Sequence, residues 1–102
     1  MKIILACSLG MSTSIMVKKM EAYAQEKNIE LDITAIPVGE LHENLEGTDA
    51  VVLGPQVRYS LDNVDKILEG KIPYMIIDSR DYGMMRGDKV VEEVLKLLNK
   101  GN

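Results

Sequence analysis

A single cysteine, Cys7, stands in the run Cys7-Ser8-Leu9-Gly10-Met11-Ser12-Thr13-Ser14, between an apolar start and a stretch of helical pattern. A thiolate is a nucleophile, and hydroxyls, a glycine and unpaired backbone N–H groups beside it form a seat for an anion. The chemistry this combination favours is attack by sulfur on a negatively charged electrophile whose oxygens are then held by the loop. Cys7 is the candidate nucleophile. Ser8, Leu9, Gly10, Met11, Ser12, Thr13 and Ser14 are the candidate phosphate-binding residues.

The elements around the thiol explain why it is placed to react. Lys2-Ile3-Ile4-Leu5-Ala6 is a short, apolar, β-branched run that stops at the Ser/Gly segment, and a helical pattern begins at about Ser12 and continues to Lys27. The order is strand, loop, helix, and a helix N-terminus carries about half a positive charge and several unpaired N–H groups. A cysteine at the end of a strand is often only a small buried hydrophobe. A purely structural turn, however, needs one capping hydroxyl, whereas Ser8, Ser12, Thr13 and Ser14 supply four.

Helix one places Met16, Met20, Tyr23 and Ala24 on one stripe, with Lys18, Lys19, Glu21, Gln25 and Glu26 outside it, and Asn28 is a stop signal. Ile29 to Ala35 alternates apolar and polar residues, as a half-buried edge strand does, before Pro37 and Gly39 break it. A short helix is expected over about Glu40–Glu46. Ala50 to Leu53 is a continuous apolar run typical of a central parallel strand and ends at Gly54-Pro55-Gln56. A helix from about Val57 to Leu68, a strand over Tyr74–Ile77 and a last helix from about Asp88 to Leu98 complete the chain.

Strands alternating with helices imply parallel pairing through right-handed crossovers, hence a three-layer α/β fold with an open four-stranded parallel sheet and helices on both faces. With the alternating strand at an edge, the strand order is 2-1-3-4. The switch point then lies between strands one and three, where ligands of such sheets bind beyond the carboxyl ends. Cys7 and Gly54-Pro55-Gln56 flank that crevice, and the fourth strand delivers Asp78 to Gly83 to the same rim. Gln56, Asp78 and Tyr82 are therefore rim candidates.

Composition narrows the class of protein. The 102 residues are one domain's worth of chain, 1–102, with room for one modest core. Twelve Lys and Arg against 16 Asp and Glu give a net charge of −4 without a basic block, which disfavours nucleic acid and anionic lipid as partners. One cysteine makes no internal disulfide, so a reducing cytoplasm suits the chain. The apolar start is shorter than a signal core of about 7–15 residues, and no segment reaches the ~18 apolar residues of a membrane span. His42, the lone histidine, sits among acidic residues and is expected at the surface; one His and one Cys make no zinc site. Met11 is an apolar residue in a polar loop and a candidate partner contact, and Met84-Met85 suits packing or an interface equally.

Low-molecular-weight tyrosine phosphatases, of the same flavodoxin-like architecture, place a cysteine at this corner, followed after five residues by arginine and further on by an acidic proton donor. Here Thr13 stands at the arginine position, so the bidentate clamp on phosphate oxygens is missing, although Asp78 or Asp81 could mimic the acid. A cysteine-dependent phosphatase or arsenate reductase remains one alternative, and a non-catalytic anion-binding module another.

Over its whole length the chain resembles the enzyme IIB components of the bacterial sugar phosphotransferase system (PTS), in the lactose, cellobiose and diacetylchitobiose class. The resemblance is carried by Cys7 to Ser14, by Leu53-Gly54-Pro55-Gln56, and by Ile77-Asp78-Ser79 with Tyr82-Gly83 following. It implies a cytoplasmic phosphotransferase in which Cys7 accepts a phosphoryl group from a phosphohistidine of enzyme IIA. The group then passes to a cellobiose-, lactose- or chitobiose-like β-disaccharide held by the membrane permease, enzyme IIC. It implies no cofactor, and the sequence agrees in having no Walker pattern and no carboxylate cluster for magnesium.

Overall fold

A computed structural model describes residues 1–7 and 11–100, with the side chains of 11, 12, 58–60 and 100 outside the description. Strands β1 (Lys2–Cys7), β2 (Asp32–Pro37), β3 (Ala50–Leu53) and β4 (Tyr74–Ile76) form one sheet in the order β2-β1-β3-β4. All pairings are parallel: Lys2 to Cys7 run beside Asp32 to Pro37, Ile3 to Ala6 beside Ala50 to Leu53, and Val51 to Leu53 beside Tyr74 to Ile76. The expected order 2-1-3-4 is the one observed.

β1 and β3 are apolar throughout because both of their faces are covered. Ile3, Leu5, Ala50 and Val52 point to one side, where they meet Met16 and Met20 of helix α1 (Met11–Glu26) and Val90, Val91 and Val94 of a C-terminal helix (Gly87–Lys100). Ile4, Ala6, Val51 and Leu53 point to the other, against Leu41, Val57, Val64 and Leu68. This period-two division of a continuous hydrophobic run is what a parallel sheet between two helical layers requires. The edge strand β2 buries Ile33 and Ile36 only.

Several element boundaries differ from expectation for local reasons. β2 starts at Asp32 and continues through Pro37, which an edge strand tolerates because proline lacks only the N–H. The helix expected over Glu40–Glu46 is a 3₁₀ segment at Val38–Glu43, entered from Pro37 at φ −63° and ψ 145°. The helix expected from Val57 is a 3₁₀ segment, Pro55–Ser60, leading into α2 (Leu61–Leu68); Pro55 sits at its start and holds Gly54 extended. A further short helix, α3 (Ser79–Gly83), follows β4, and the C-terminal helix, α4, begins at Gly87, one residue before the expected Asp88. Asn28 does end α1: its φ is 57°, and Ile29 N–H reaches back to Ala24 O at 2.8 Å.

The first residue of α4 lies against the backbone of α1. A Cβ on Gly87 would lie 2.6 Å from the carbonyl carbon and Cβ of Lys19 and 2.6 Å from the nitrogen of Met20, so α4 begins in direct contact with the α1 backbone. The two helices are also joined by the Tyr23 hydroxyl, which donates to the carboxylate of Glu92. That hydrogen bond is the main reason why the Tyr23 phenol is pushed up from 10.0 to about 12.

Two expected outcomes follow. Gly87→Ala forces α1 and α4 apart and lowers unfolding stability by about 1–3 kcal/mol, whereas Gly39→Ala, with nothing within 4 Å of the added carbon, leaves the urea midpoint nearly unchanged; equal midpoints for the two variants would contradict the close crossing. The raised phenol means that the folded state keeps its proton to higher pH than the unfolded chain. The Tyr23–Glu92 contribution is thus complete below pH 10 and disappears as pH climbs toward 12. Denaturation across that window should show a steeper stability loss for the native chain than for Tyr23→Phe, and parallel curves would refute the assignment.

Candidate functional site

The end of β1 is held from both sides before the chain leaves the sheet. Cys7 pairs with Pro37 on β2, and Ala6, paired with Leu53, also accepts a 3.0 Å hydrogen bond from Gly54 N–H, one step beyond β3. On the far side of β3, Ile77 N–H donates to Leu53 O at 2.8 Å, which brings the end of β4 level with the same rim. The carboxyl ends of β1, β3 and β4 therefore lie together at the switch point between β1 and β3.

Strand alternation places Cys7 on the same face as Ile3 and Leu5, the face covered by α1 and α4. Its side chain has no solvent-accessible surface. Thr13, in the first turn of α1, brings its Oγ1 to 2.9 Å from the Cys7 sulfur, and the Tyr82 hydroxyl lies 3.2 Å from that oxygen. Thr13 is 1% exposed and Tyr82 7%, and the two hydroxyls and the thiol satisfy one another. The first turn of α1 contains no acidic residue, so its positive end faces the thiol without a neutralising charge from the helix itself.

Tyr82 owes its position to α3. Asp78 caps this helix, its Oδ1 accepting from the backbone N–H of Arg80 at 2.8 Å and of Asp81 at 3.4 Å, and Tyr82 N–H bonds to Asp78 O at 2.9 Å. One turn of helix directly after β4 thus carries the phenol back over the sheet to α1. Asp81 instead pairs with Arg86 at 3.4 Å.

Gly54 is tightly fitted at this corner. A Cβ there would lie 2.9 Å from the Cβ of Cys7 and 2.7 Å from Oε1 of Gln56, so the turn after β3 packs on the cysteine with no room for a side chain.

Of the residues expected at the site, Cys7, Thr13 and Tyr82 share one hydrogen-bonded chain, and Gln56 adjoins it through Gly54. Ser14 is exposed on the first turn of α1. Asp78 is on the rim, and its carboxylate is engaged as a helix cap. Ser8, Leu9 and Gly10 lie outside the described residues, as do the side chains of Met11 and Ser12. His42 is exposed, 3.7 Å from the Glu43 carboxylate. The Met84-Met85 pair divides: Met84 is 61% exposed and Met85 packs on the core. Ile15, which no sequence signal singled out, is a second exposed apolar side chain, on the first turn of α1. The tight fit of Gly54 was equally hidden, because Gly-Pro after a strand announces only a turn.

Fold and site together define a small open-sheet α/β protein with a buried thiol at the switch point and a threonine six residues beyond it. The family "PTS system, Lactose/Cellobiose specific IIB subunit" matches residues 2–93. The galactose-specific EIIB component of Lactococcus lactis is 41% identical over 103 residues, and the oligo-beta-mannoside-specific EIIB component of Bacillus subtilis is 40% identical over 98, each alignment covering 95% of both chains. The solution structure of a cellobiose-specific IIB component from Borrelia burgdorferi superposes with a TM-score of 0.82 at 40% identity, covering 98% of this chain and 93% of the other. The chain belongs to the lactose/cellobiose-specific IIB subunits of the sugar phosphotransferase system.

Gly54→Ala should displace Cys7 or the Gln56 side chain. The expected result is a loss of about 1–3 kcal/mol of stability with a shifted backbone amide signal for Cys7, and a variant unchanged in both would show that the corner has room.

Proposed function

We propose that the chain is a phosphocarrier, one IIB domain over residues 1–102, working in the cytoplasm with Cys7 as its phosphorylated residue. The Cys7 thiolate attacks phosphorus in line: the S–P bond forms, the P–N bond of a phosphohistidine on enzyme IIA breaks, and its electron pair returns to the imidazole. Onward transfer reverses the polarity. A hydroxyl of the sugar held by enzyme IIC forms an O–P bond, the S–P electron pair returns to sulfur, and the regenerated thiolate is free to take up the hydroxyl proton.

The backbone N–H groups of Leu9 to Ser14 would hold the phosphoryl oxygens, with the hydroxyls of Ser12 and Ser14 assisting, the Thr13 hydroxyl turned to the sulfur and the positive end of α1 favouring the charge. Gln56 and Asp78 would border the approach, and the exposed Ile15 and Met84 would meet partner surfaces. Because only one hydroxyl of the sugar reaches the sulfur, discrimination between sugars would rest with the permease pocket. In keeping with this, the relatives named for galactose and for oligo-beta-mannoside are 41% and 40% identical.

The observation that carries the proposal is Thr13. At the position where a cysteine phosphatase needs a guanidinium to clamp phosphate for attack by water, this chain has a buried hydroxyl 2.9 Å from the sulfur. A relay must keep its phosphate from water, and the missing clamp suits that task.

Incubation with phosphorylated IIA should add one phosphate to the intact chain and none to Cys7→Ser; an adduct that survives the substitution would sink the assignment. Thr13→Arg is expected to raise phosphocysteine hydrolysis, and no rise would count against the reason given for the missing arginine. Efficient turnover of p-nitrophenyl phosphate by the native chain would favour a phosphatase instead.

A further inference from the structure

We infer that Tyr82 is a positioning residue for Cys7, acting through Thr13: it sets the direction of the Thr13 hydroxyl so that its proton is offered to the sulfur. The inference rests on Cys7 being the reacting group.

A hydroxyl has one proton to give and two lone pairs with which to accept. Thr13 Oγ1 touches two groups, the Cys7 sulfur at 2.9 Å and the Tyr82 hydroxyl at 3.2 Å. A thiolate can only accept, so when Cys7 is ionised Thr13 must donate to it. The lone proton of Thr13 is then engaged, and the contact with Tyr82 can be made only with the phenol donating. The chain therefore runs Tyr82 O–H to Thr13 Oγ1, and Thr13 O–H to Cys7 sulfur. Each hydrogen bond polarises the next, and burial of all three side chains excludes water that would compete for these positions.

The sulfur becomes a thiolate at two moments, before it attacks the donor's phosphorus and again when the sugar oxygen displaces it. In the second step the S–P electron pair returns to sulfur, and a hydroxyl aimed there stabilises it as it leaves. No proton crosses the relay in either step. Tyr82 touches neither phosphate nor sugar in this scheme.

The test is the Cys7 thiol pKa, followed through its ¹³Cβ signal, which is unambiguous because the chain has one cysteine. Among the described residues, the side chains on the other elements that end at this rim are neutral Pro37 on β2 and Gln56 beyond β3, and Asp78, Arg80 and Asp81 on or beside α3. The exposed Glu40, His42 and Glu43 follow β2. None of these changes in Tyr82→Phe, which also keeps the buried ring. Tyr82→Phe should raise the thiol pKa by about half to one unit, and slow phosphoryl release to sugar about three- to ten-fold, as loss of one polarising hydrogen bond implies. Thr13→Ser, which keeps the hydroxyl, should preserve the native response to Tyr82→Phe. In Thr13→Val, or in Thr13→Ala if the valine variant does not fold, Tyr82→Phe should have no further effect.

An unchanged thiol pKa in Tyr82→Phe overturns the inference, and so does an equal rise with or without the Thr13 hydroxyl. The titration needs no phosphoryl donor. If the pKa moves as expected and no phosphate adduct forms on Cys7, the carrier role fails and the relay stands.

Discussion

Strand β1 is paired on both edges and buried on both faces, and the placement of every other element follows from this. With β2 on one side of β1 and β3 on the other, the chain leaves the end of β1 toward β2 and the end of the neighbouring β3 toward β4, in opposite directions. Where the two paths part, the sheet opens at its carboxyl rim, and the residue at the parting is Cys7. The cysteine lies in that crevice because β1 can end nowhere else without losing its pairing with Pro37 and Leu53.

The constraint also decides which side chains can reach the thiol. Alternation along β1 turns Cys7 toward the layer containing α1 and α4, so its polar neighbours must come from that layer. Thr13 arrives on the first turn of α1, and Tyr82 arrives on the one-turn helix that Asp78 starts directly after β4. Gly54 in turn packs against the Cβ of Cys7, where a side chain of its own would not fit. The result is a fully buried thiol whose one described polar contact is a hydroxyl.

Much of this was legible in the sequence, for identifiable reasons. The unbroken apolar run of Ala50 to Leu53 and the alternation of Ile29 to Ala35 distinguished a central strand from an edge, and with right-handed crossovers that was enough to order the sheet and locate the switch point. The stripe Met16, Met20 and Ala24 marked the buried face of α1 correctly. What escaped depended on contacts across long separations or on exact packing. The Thr13–Tyr82 bond spans 69 residues, and no local pattern announces it. The capping role of Asp78 depends on the one-turn helix beyond it and has no local signature, because a capping aspartate and a catalytic one have the same identity in a sequence. Gly87 gave no hint of the α1 backbone pressed against it, nor Gly54 of the Cys7 Cβ at its side.

The proposal that sulfur carries the phosphate is supported by membership of the IIB family, the buried Cys7–Thr13 contact and the absence of arginine six residues after the cysteine. The most direct measurement is a ³¹P–¹H correlation spectrum of the chain after phosphorylation by IIA. A single phosphorus signal coupled to the β-protons of Cys7 is the predicted result. Coupling to the imidazole of His42, the chain's one histidine, or to a serine or threonine of the loop, would contradict it.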